Sequence, residues 1–240
     1  IMQSSLERIN PDTLVAGEST GYETLQLHLD RYHYAARFLK KGPCADIACG
    51  TGYGSFLLAT QYAHLVDSII AVDIDAPSIE WARFRYYHPS IEYIQSDALS
   101  FRSSRPLQNV ISLETIEHLP DPKAYIHHMS GQLSRGGRFI ASVPITPSMD
   151  ANPYHLNDFT RKSFLAIFSE AGFTLIDSFV QIQPYKLFSV LSKKEDRSKD
   201  LRKGIFSFYL THPSKFFLRV RSILLDGFKN KYLVAVFEKL

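Results

Sequence analysis

The chain has 240 residues, of which 45% are hydrophobic and 21% are charged, and these proportions are typical of a folded globular protein. It contains no run of 18 apolar residues and its first residues lack the layout of a signal peptide, which argues against the membrane-spanning and exported classes. The two cysteines, Cys44 and Cys49, do not form a Cys-x-x-Cys pair, so we expect free thiols and a reducing, cytoplasmic location.

The net charge of +3 conceals an uneven distribution of charge along the chain. Residues 1–184 contain 14 Lys/Arg and 19 Asp/Glu, a balance of −5, whereas residues 185–240 contain 13 and 5, a balance of +8. The basic C-terminal part therefore needs an explanation of its own.

Helical and strand-like patterns alternate along the chain. A first helix is predicted over residues 22–41 and ends at Gly42-Pro43. The predicted strands are 45–48, 68–72, 91–94, 110–113, 138–143, 173–183 and 232–237, and the later predicted helices are 55–62, 76–87, 122–133 and 160–171. This alternation predicts an α/β fold with a doubly wound, mostly parallel sheet, in which the terminal strand pairs antiparallel with strand 173–183.

The predicted elements and the charge distribution divide the chain into four parts: a helical cap (1–43), a core (44–184), a basic helical insertion (185–231) and a last core strand (232–240). Within the insertion, the charged run 193–203 is predicted to be a solvated loop or helix face. The following helix has an apolar face that includes Phe216, Phe217 and Leu224. Either that face packs on the core and leaves Lys and Arg in water, or residues 205–228 contact a membrane, an acceptor or a nucleic acid.

The segment from Cys44 to Gly54 is the strongest local signal. An apolar strand carries Asp46 four positions before Gly50-Thr-Gly52, and a helical pattern follows at once. Glycines in such a turn allow a ligand to approach the backbone, and the helix directs its positive N-terminus at that ligand. A dinucleotide fingerprint would place its third small glycine at position 55, which is Ser55. The acid before the turn fits a cofactor with an ammonium group, and together these features match S-adenosylmethionine.

Acidic residues follow the next two strands. Asp73 ends the second strand, 23 residues after Gly50, where a carboxylate can accept both ribose hydroxyls. Asp75 is predicted to face the other side. Asp97 and Ala98 follow the third strand, where a carboxylate and a backbone amide can bind adenine.

These motifs, with the run Leu113-Glu-Thr-Ile-Glu-His-Leu119, resemble the Rossmann-like S-adenosylmethionine-dependent methyltransferases over about residues 25–183. The resemblance implies a seven-stranded sheet with a reversed last strand. It assigns Asp46, Gly50 and Gly52 to the methionine part of the cofactor, Asp73 to the ribose, and Asp97 with Ala98 to the adenine. The remaining residues that we assign to the cofactor site are Ala48, Cys49, Ile74 and Glu114.

The helix segment His28–Tyr34 also resembles a bacterial subgroup of this family associated with polysaccharide biosynthesis. In that reading Arg31 pairs with the methionine carboxylate. The alternative is an ordinary surface arginine.

A second group of residues suggests proton or metal chemistry. Glu114, Glu117 and His118 have the i, i+3, i+4 spacing of one helical face, and His155 precedes the helix predicted from residue 160. Two carboxylates and two imidazoles can bind Mg or Mn, and this layout resembles ubiquinone-pathway and small-RNA methyltransferases. In the metal-free alternative, Glu114 touches the cofactor and His118 and His155, with Glu117, handle the proton.

The sequence leaves several acceptors open. The hypothesis we favour is O-methylation of a sugar, glycan or glycolipid precursor in the cytoplasm, with peripheral contact at the inner face of the membrane. The alternatives are RNA 2′-O-methylation, methylation of a catechol or quinone, and a non-enzymatic, cofactor-binding role in a glycan assembly complex.

Overall fold

The computed structural model describes residues 9–14, 19–184, 202 and 204–240. A short 3-10 helix, Pro11–Thr13, precedes the main elements. The helices are α1 (Ser19–Ala36), α2 (Tyr53–Gln61), α3 (Ala76–Arg85), α4 (Pro122–Gln132), α5 (Arg161–Glu170), α6 (Ile205–Thr211) and α7 (Pro213–Asp226). The strands are β1 (Gly42–Ile47), β2 (Val66–Asp73), β3 (Ile91–Gln95), β4 (Leu107–Leu113), β5 (Leu133–Pro144), β6 (Phe173–Pro184) and β7 (Lys229–Lys239).

The seven strands form one sheet in the order β3-β2-β1-β4-β5-β7-β6. Strands β1 to β5 pair in parallel, and β7 runs antiparallel to both neighbours, β5 and β6. The predicted doubly wound α/β fold with a reversed last strand is therefore confirmed. The order turns at β1 and β4, and ligands bind beyond the carboxyl ends of the strands at such a turning point.

The core lies in two layers, one on each face of the sheet. Successive strand residues alternate between the layers: Ala45 and Val110 belong to one apolar cluster, Cys44 and Ile111 to the other. Aromatic rings dominate the first layer, in which Phe168 and Phe237 stack with centroids 3.8 Å apart. This packing fixes the strand ends that carry the site.

Two predicted boundaries differ from the structure by five residues. Helix α1 ends at Ala36 rather than at residue 41, because Asn109 on β4 receives the backbone N–H of Lys40 at 2.9 Å and draws this segment toward the sheet. Strand β5 begins at Leu133, ahead of the Gly136-Gly137 turn, because Leu133 pairs with Leu107 on β4. Tertiary pairing decides both boundaries.

The basic C-terminal part contains the predicted helix as α7, preceded by α6. The alternative in which its apolar face packs on the core is wrong, since Phe217 is 69% exposed and Leu224 is 80% exposed, while Lys215 and Arg219 form ion pairs with Asp158 and Asp150. Apart from Arg202, the run 193–203 lies outside the described residues. Among the described helices, none is both long and apolar enough to cross a bilayer.

Candidate active site

The three glycines of the turn between β1 and α2 have different roles. Gly50 has a φ of +56°, and a Cβ atom placed there would have no heavy atom within 4 Å. A Cβ on Gly52 would approach Ala82 on α3, and one on Gly54 would lie 2.0 Å from the ring of Tyr32. Gly52 and Gly54 therefore allow close packing, whereas Gly50 borders open space where a ligand can approach the backbone.

Asp46 lies beneath this turn and is only 1% exposed. Its carboxylate accepts hydrogen bonds from Ser55 Oγ at 2.6 Å and from the Tyr32 hydroxyl at 3.0 Å. Burial raises the pKa of Asp46 to about 7, although the hydrogen bonds from Ser55 and Tyr32 oppose the shift. The carboxylate thus ties α1 and α2 to the end of β1, and its assignment to the methionine ammonium stays a prediction.

Asp73 lies at the end of β2 and connects to the glycine turn. Its Oδ2 accepts the backbone N–H of Gly50 at 2.9 Å, and its Oδ1 accepts that of Asp75 at 2.9 Å. Asp75 caps the N-terminus of α3 through the N–H of Ser78, so its carboxylate is engaged by that helix. A carboxylate oxygen can accept more than one hydrogen bond, and the assignment of Asp73 to the ribose hydroxyls stays a prediction.

The other predicted cofactor residues follow neighbouring strand ends. Ile74 is 61% exposed directly after β2, an apolar surface on which a base can lie. Asp97 is exposed after β3, where its Oδ1 accepts the N–H of Leu99, and Ala98 stands beside it half-buried.

Ala48 has a φ of +61° after β1, and Cys49 is buried and donates its N–H to Val72. A positive φ in a residue other than glycine is uncommon and is often found at functional sites.

Arg31 is buried inside the site and is only 1% exposed, so the surface alternative is wrong. Its Nε donates to Gln181 at 2.8 Å, and its guanidinium lies 4.5 Å from the ring centroid of Tyr232. Its Nη1 is 3.4 Å from Glu114 Oε1, and within the described part of the chain this nitrogen has no hydrogen-bond partner. Buried hydrogen-bond donors rarely lack an acceptor, and a ligand carboxylate would provide one for this nitrogen.

Glu114 does not share a helical face with Glu117 and His118, and that expectation is wrong. Glu114 has a φ of +50°, and a single 3-10 turn begins only at Ile116. The carboxylate of Glu114 accepts the Ser142 hydroxyl at 2.6 Å and faces Arg31. Glu114 thus lies against Arg31 and outside the candidate metal group, and its cofactor assignment stays a prediction.

Glu117, His118 and His155 come together at the end of β4. Candidate ligand atoms of these three side chains lie within 4.8 Å of one another, which brings together three of the four predicted metal ligands. His118 Nε2 is 3.9 Å from Glu117 Oε1, and the two imidazole centroids are 4.6 Å apart. Glu117 is the fully buried member of this group. Its main-chain carbonyl accepts the N–H of Leu156, and this hydrogen bond holds the loop that carries His155 in place.

Hydrogen bonds orient both imidazoles. His118 Nδ1 is 3.1 Å from the carbonyl of Tyr154, which can only accept, so neutral His118 carries its proton on Nδ1 and a lone pair on Nε2. His155 Nδ1 is 2.7 Å from Ser148 Oγ, which in turn donates to Asp158. Burial, together with the neighbouring His118, lowers the pKa of His155 to about 3, so His155 is neutral and only weakly basic at neutral pH.

Several residues of the site escaped the sequence analysis. Tyr32 and Ser55 hold Asp46, Ser142 holds Glu114, and Gln181 and Tyr232 enclose Arg31. Ser55 and Tyr32 stood within recognised segments, but neither of them had a predicted role. The others come from the β5–β7–β6 edge, and their partners lie far away in sequence.

Comparisons with known proteins agree with this geometry. A family model described as a methyltransferase domain matches residues 45–141. A Mycobacterium tuberculosis (H37Rv) protein named as an S-adenosylmethionine-dependent methyltransferase is 27% identical over 135 residues, 53% of this chain and 47% of that protein. The ubiquinone biosynthesis O-methyltransferase of Xylella fastidiosa is 32% identical over 102 residues, 41% of this chain and 40% of that protein. The chain thus spans about half the length of the curated relatives it matches.

Solved structures share the fold. A Bacillus halodurans C-125 protein described as a methyltransferase superposes with a TM-score of 0.67 at 18% identity, over 88% of this chain and 98% of that one. The N-methyltransferase NodS of Bradyrhizobium japonicum WM9, in complex with S-adenosyl-L-homocysteine, gives 0.59 at 13% identity, over 97% and 94%. Residues 45–141 are therefore similar in sequence to a methyltransferase domain, and the chain shares its fold with solved methyltransferases.

Proposed function

We propose that the whole protein O-methylates a hydroxyl group of a sugar, glycan or glycolipid precursor. The observation that carries the proposal is the Glu117–His118–His155 group at the end of β4, next to the cofactor residues. Both imidazoles are oriented by hydrogen bonds, and neutral His118 carries its lone pair on Nε2, whereas burial makes His155 the weaker base. A neutral imidazole beside an acceptor hydroxyl can take up the proton that the hydroxyl loses.

The described residues fit S-adenosylmethionine. Gly50 borders open space, Asp73 offers two carboxylate oxygens, and Arg31 offers a buried donor. In the proposed complex Arg31 and Asp46 hold the amino acid part, Asp73 the ribose, and Asp97 the adenine. The cofactor, when bound, supplies an electrophilic methyl group on a sulfonium, and the protein contributes mainly by positioning the acceptor oxygen for in-line attack.

The donor set also fits a divalent ion, because one carboxylate and two imidazoles suit Mn and related ions. Such an ion would lower the pKa of an acceptor hydroxyl. Two forms of the mechanism, with Mg or Mn and without metal, therefore use the same three side chains. Mn binding to the purified protein, measured by paramagnetic resonance, separates them: Glu117→Gln should abolish binding in the metal form, and no wild-type binding supports the metal-free form.

The choice of a sugar acceptor rests on the resemblance of residues 28–34 and 152–160 to the polysaccharide subgroup. The second candidate is a catechol or quinone, favoured by the similarity to the Xylella fastidiosa enzyme. RNA 2′-O-methylation is a third, and the acidic balance of residues 1–184 speaks against it because phosphates prefer basic surfaces.

A radiolabelled methyl donor offered with each acceptor class tests the proposal. We expect transfer to a hydroxyl of a sugar or lipid-linked sugar, and loss of transfer in His155→Ala with S-adenosylhomocysteine binding intact. His127→Ala, an exposed histidine on α4, is the matched control. Transfer to catechol or RNA but to no sugar would refute the acceptor class, and full activity in His155→Ala would refute the catalytic role.

A further inference from the structure

The outer surface of helices α6 and α7 is apolar. Phe206 and Leu210 on α6 are each 84% exposed, and on α7 Phe217, Leu224 and Leu225 are 69%, 80% and 70% exposed. Phe206 and Leu210 are four residues apart, and Phe217 and Leu224 are seven apart, so each pair lies on one side of its helix. We call these five residues the outer face.

Two basic residues of α7, Lys215 and Arg219, point the opposite way, into the protein. Lys215 Nζ lies 2.7 Å from Asp158 Oδ2, and Arg219 makes two contacts with Asp150 at 2.5 and 2.7 Å. The Tyr209 hydroxyl on α6 also donates to Asp150 at 2.6 Å. Burial alone would raise the pKa of Asp150, but the hydrogen bond and charge of Arg219 lower it, so Asp150 is ionised at neutral pH.

This orientation is the reverse of an ordinary surface helix, which buries its apolar face and exposes its charges. The ion pairs with Asp150 and Asp158 fix it, because rotating α7 about its axis would break them. Apolar area left in water is unfavourable. Large apolar side chains exposed to this extent on neighbouring helices are typical of surfaces that another phase or partner covers.

We propose that the outer face docks on an anionic lipid surface. Residues 185–240 carry a balance of +8, against −5 for the rest of the chain, and exposed Arg221 lies four residues after Phe217, on the same side of α7. Aromatic and aliphatic side chains with flanking basic residues bind anionic bilayers through both apolar insertion and charge. A second copy of this segment would instead bring two regions of like charge together.

The docked helices would also place the acceptor loop near the lipid. Asp150 and Asp158, which α7 contacts, flank His155 on the same loop. Docking through α7 therefore holds that loop close to the bilayer. If the proposed function is right, a lipid-linked acceptor would reach the site from this side.

Vesicle sedimentation of the full chain tests the proposal. We expect binding to vesicles of equal parts phosphatidylglycerol and phosphatidylcholine and little binding to phosphatidylcholine alone. The double variant Phe217→Glu/Leu224→Glu should bind at least tenfold less. Phe84→Glu, at an 83% exposed residue of α3, is the matched control and should bind as the wild type does.

Unchanged affinity of the double variant for S-adenosylhomocysteine would show that it is folded, and it separates docking from the methyltransferase proposal. No wild-type binding to anionic vesicles would overturn the inference, as would equal losses in the double variant and Phe84→Glu. A wild-type dimer in light scattering that the double variant dissociates would assign the outer face to a second copy instead. RNA binding lost in the double variant, without vesicle binding, would likewise overturn it.

Discussion

Gly50 and Gly172 provide a matched pair of perturbations. Both adopt left-handed backbone, with φ of +56° and +81°, and a Cβ on either would have no heavy atom within 4 Å. Gly50 borders the proposed cofactor site, whereas Gly172 follows helix α5 and accepts the N–H of Leu240. An alanine at either position carries the same kind of backbone strain, about 1–2 kcal/mol.

We therefore expect Gly50→Ala and Gly172→Ala to lower the melting temperature by similar amounts, about 2–8 °C for a chain of this size. Their effects on binding should differ. The new methyl group at position 50 occupies ligand space, so its affinity for S-adenosylhomocysteine should fall at least tenfold, about 1.4 kcal/mol or more. Calorimetry on both variants measures this difference. Equal affinity in the two variants would refute the conclusion that Gly50 faces the cofactor.

Three further outcomes follow from the same contacts. Arg31→Met should weaken S-adenosylhomocysteine binding tenfold or more. Binding of 5′-methylthioadenosine, which has no carboxylate, should be nearly unaffected, and equal losses for both ligands would contradict the carboxylate role of Arg31. Asp46→Asn should gain stability relative to wild type as pH rises from about 4 to 7, up to about 4 kcal/mol, because the carboxyl group ionises near pH 4 in the unfolded chain and only near pH 7 when buried. Urea unfolding of both proteins at several pH values measures the difference in free energy of unfolding. A difference that does not change with pH would contradict this prediction. Gly54→Ala should lose about 2 kcal/mol in urea unfolding despite better helix propensity, because its Cβ would lie 2.0 Å from the buried Tyr32 ring; a gain in stability would show that the ring moves freely.

Local patterns predicted the parts of the fold that local chemistry decides. The alternation of strands and helices gave the doubly wound sheet, and the turn at Gly50 with Asp73 gave the cofactor side of the site. Both follow from short-range rules on periodicity and backbone freedom. The same rules predicted the antiparallel pairing of β6 with β7.

Long-range contacts explain what the sequence did not reveal. Arg31 is buried because Gln181, 150 residues away, and Tyr232 close over it. Glu114 leaves the expected helical face because its backbone takes a positive φ and its carboxylate meets Ser142. Apolar periodicity located α7 but could not show which of its faces is turned toward the protein. The ion pair of Arg219 with Asp150 turns the charged face inward, which is the reverse of the usual orientation.

The central claim is that the carboxyl ends of β1 and β2 bind S-adenosylmethionine, and calorimetry with S-adenosylhomocysteine tests it most directly. The wild-type protein should bind with micromolar-range affinity, and Asp73→Ala should abolish binding. Asp75→Ala removes only the cap of α3 and should bind nearly as well, with a lower melting temperature. Absence of wild-type binding, or equal binding by Asp73→Ala, would contradict the account.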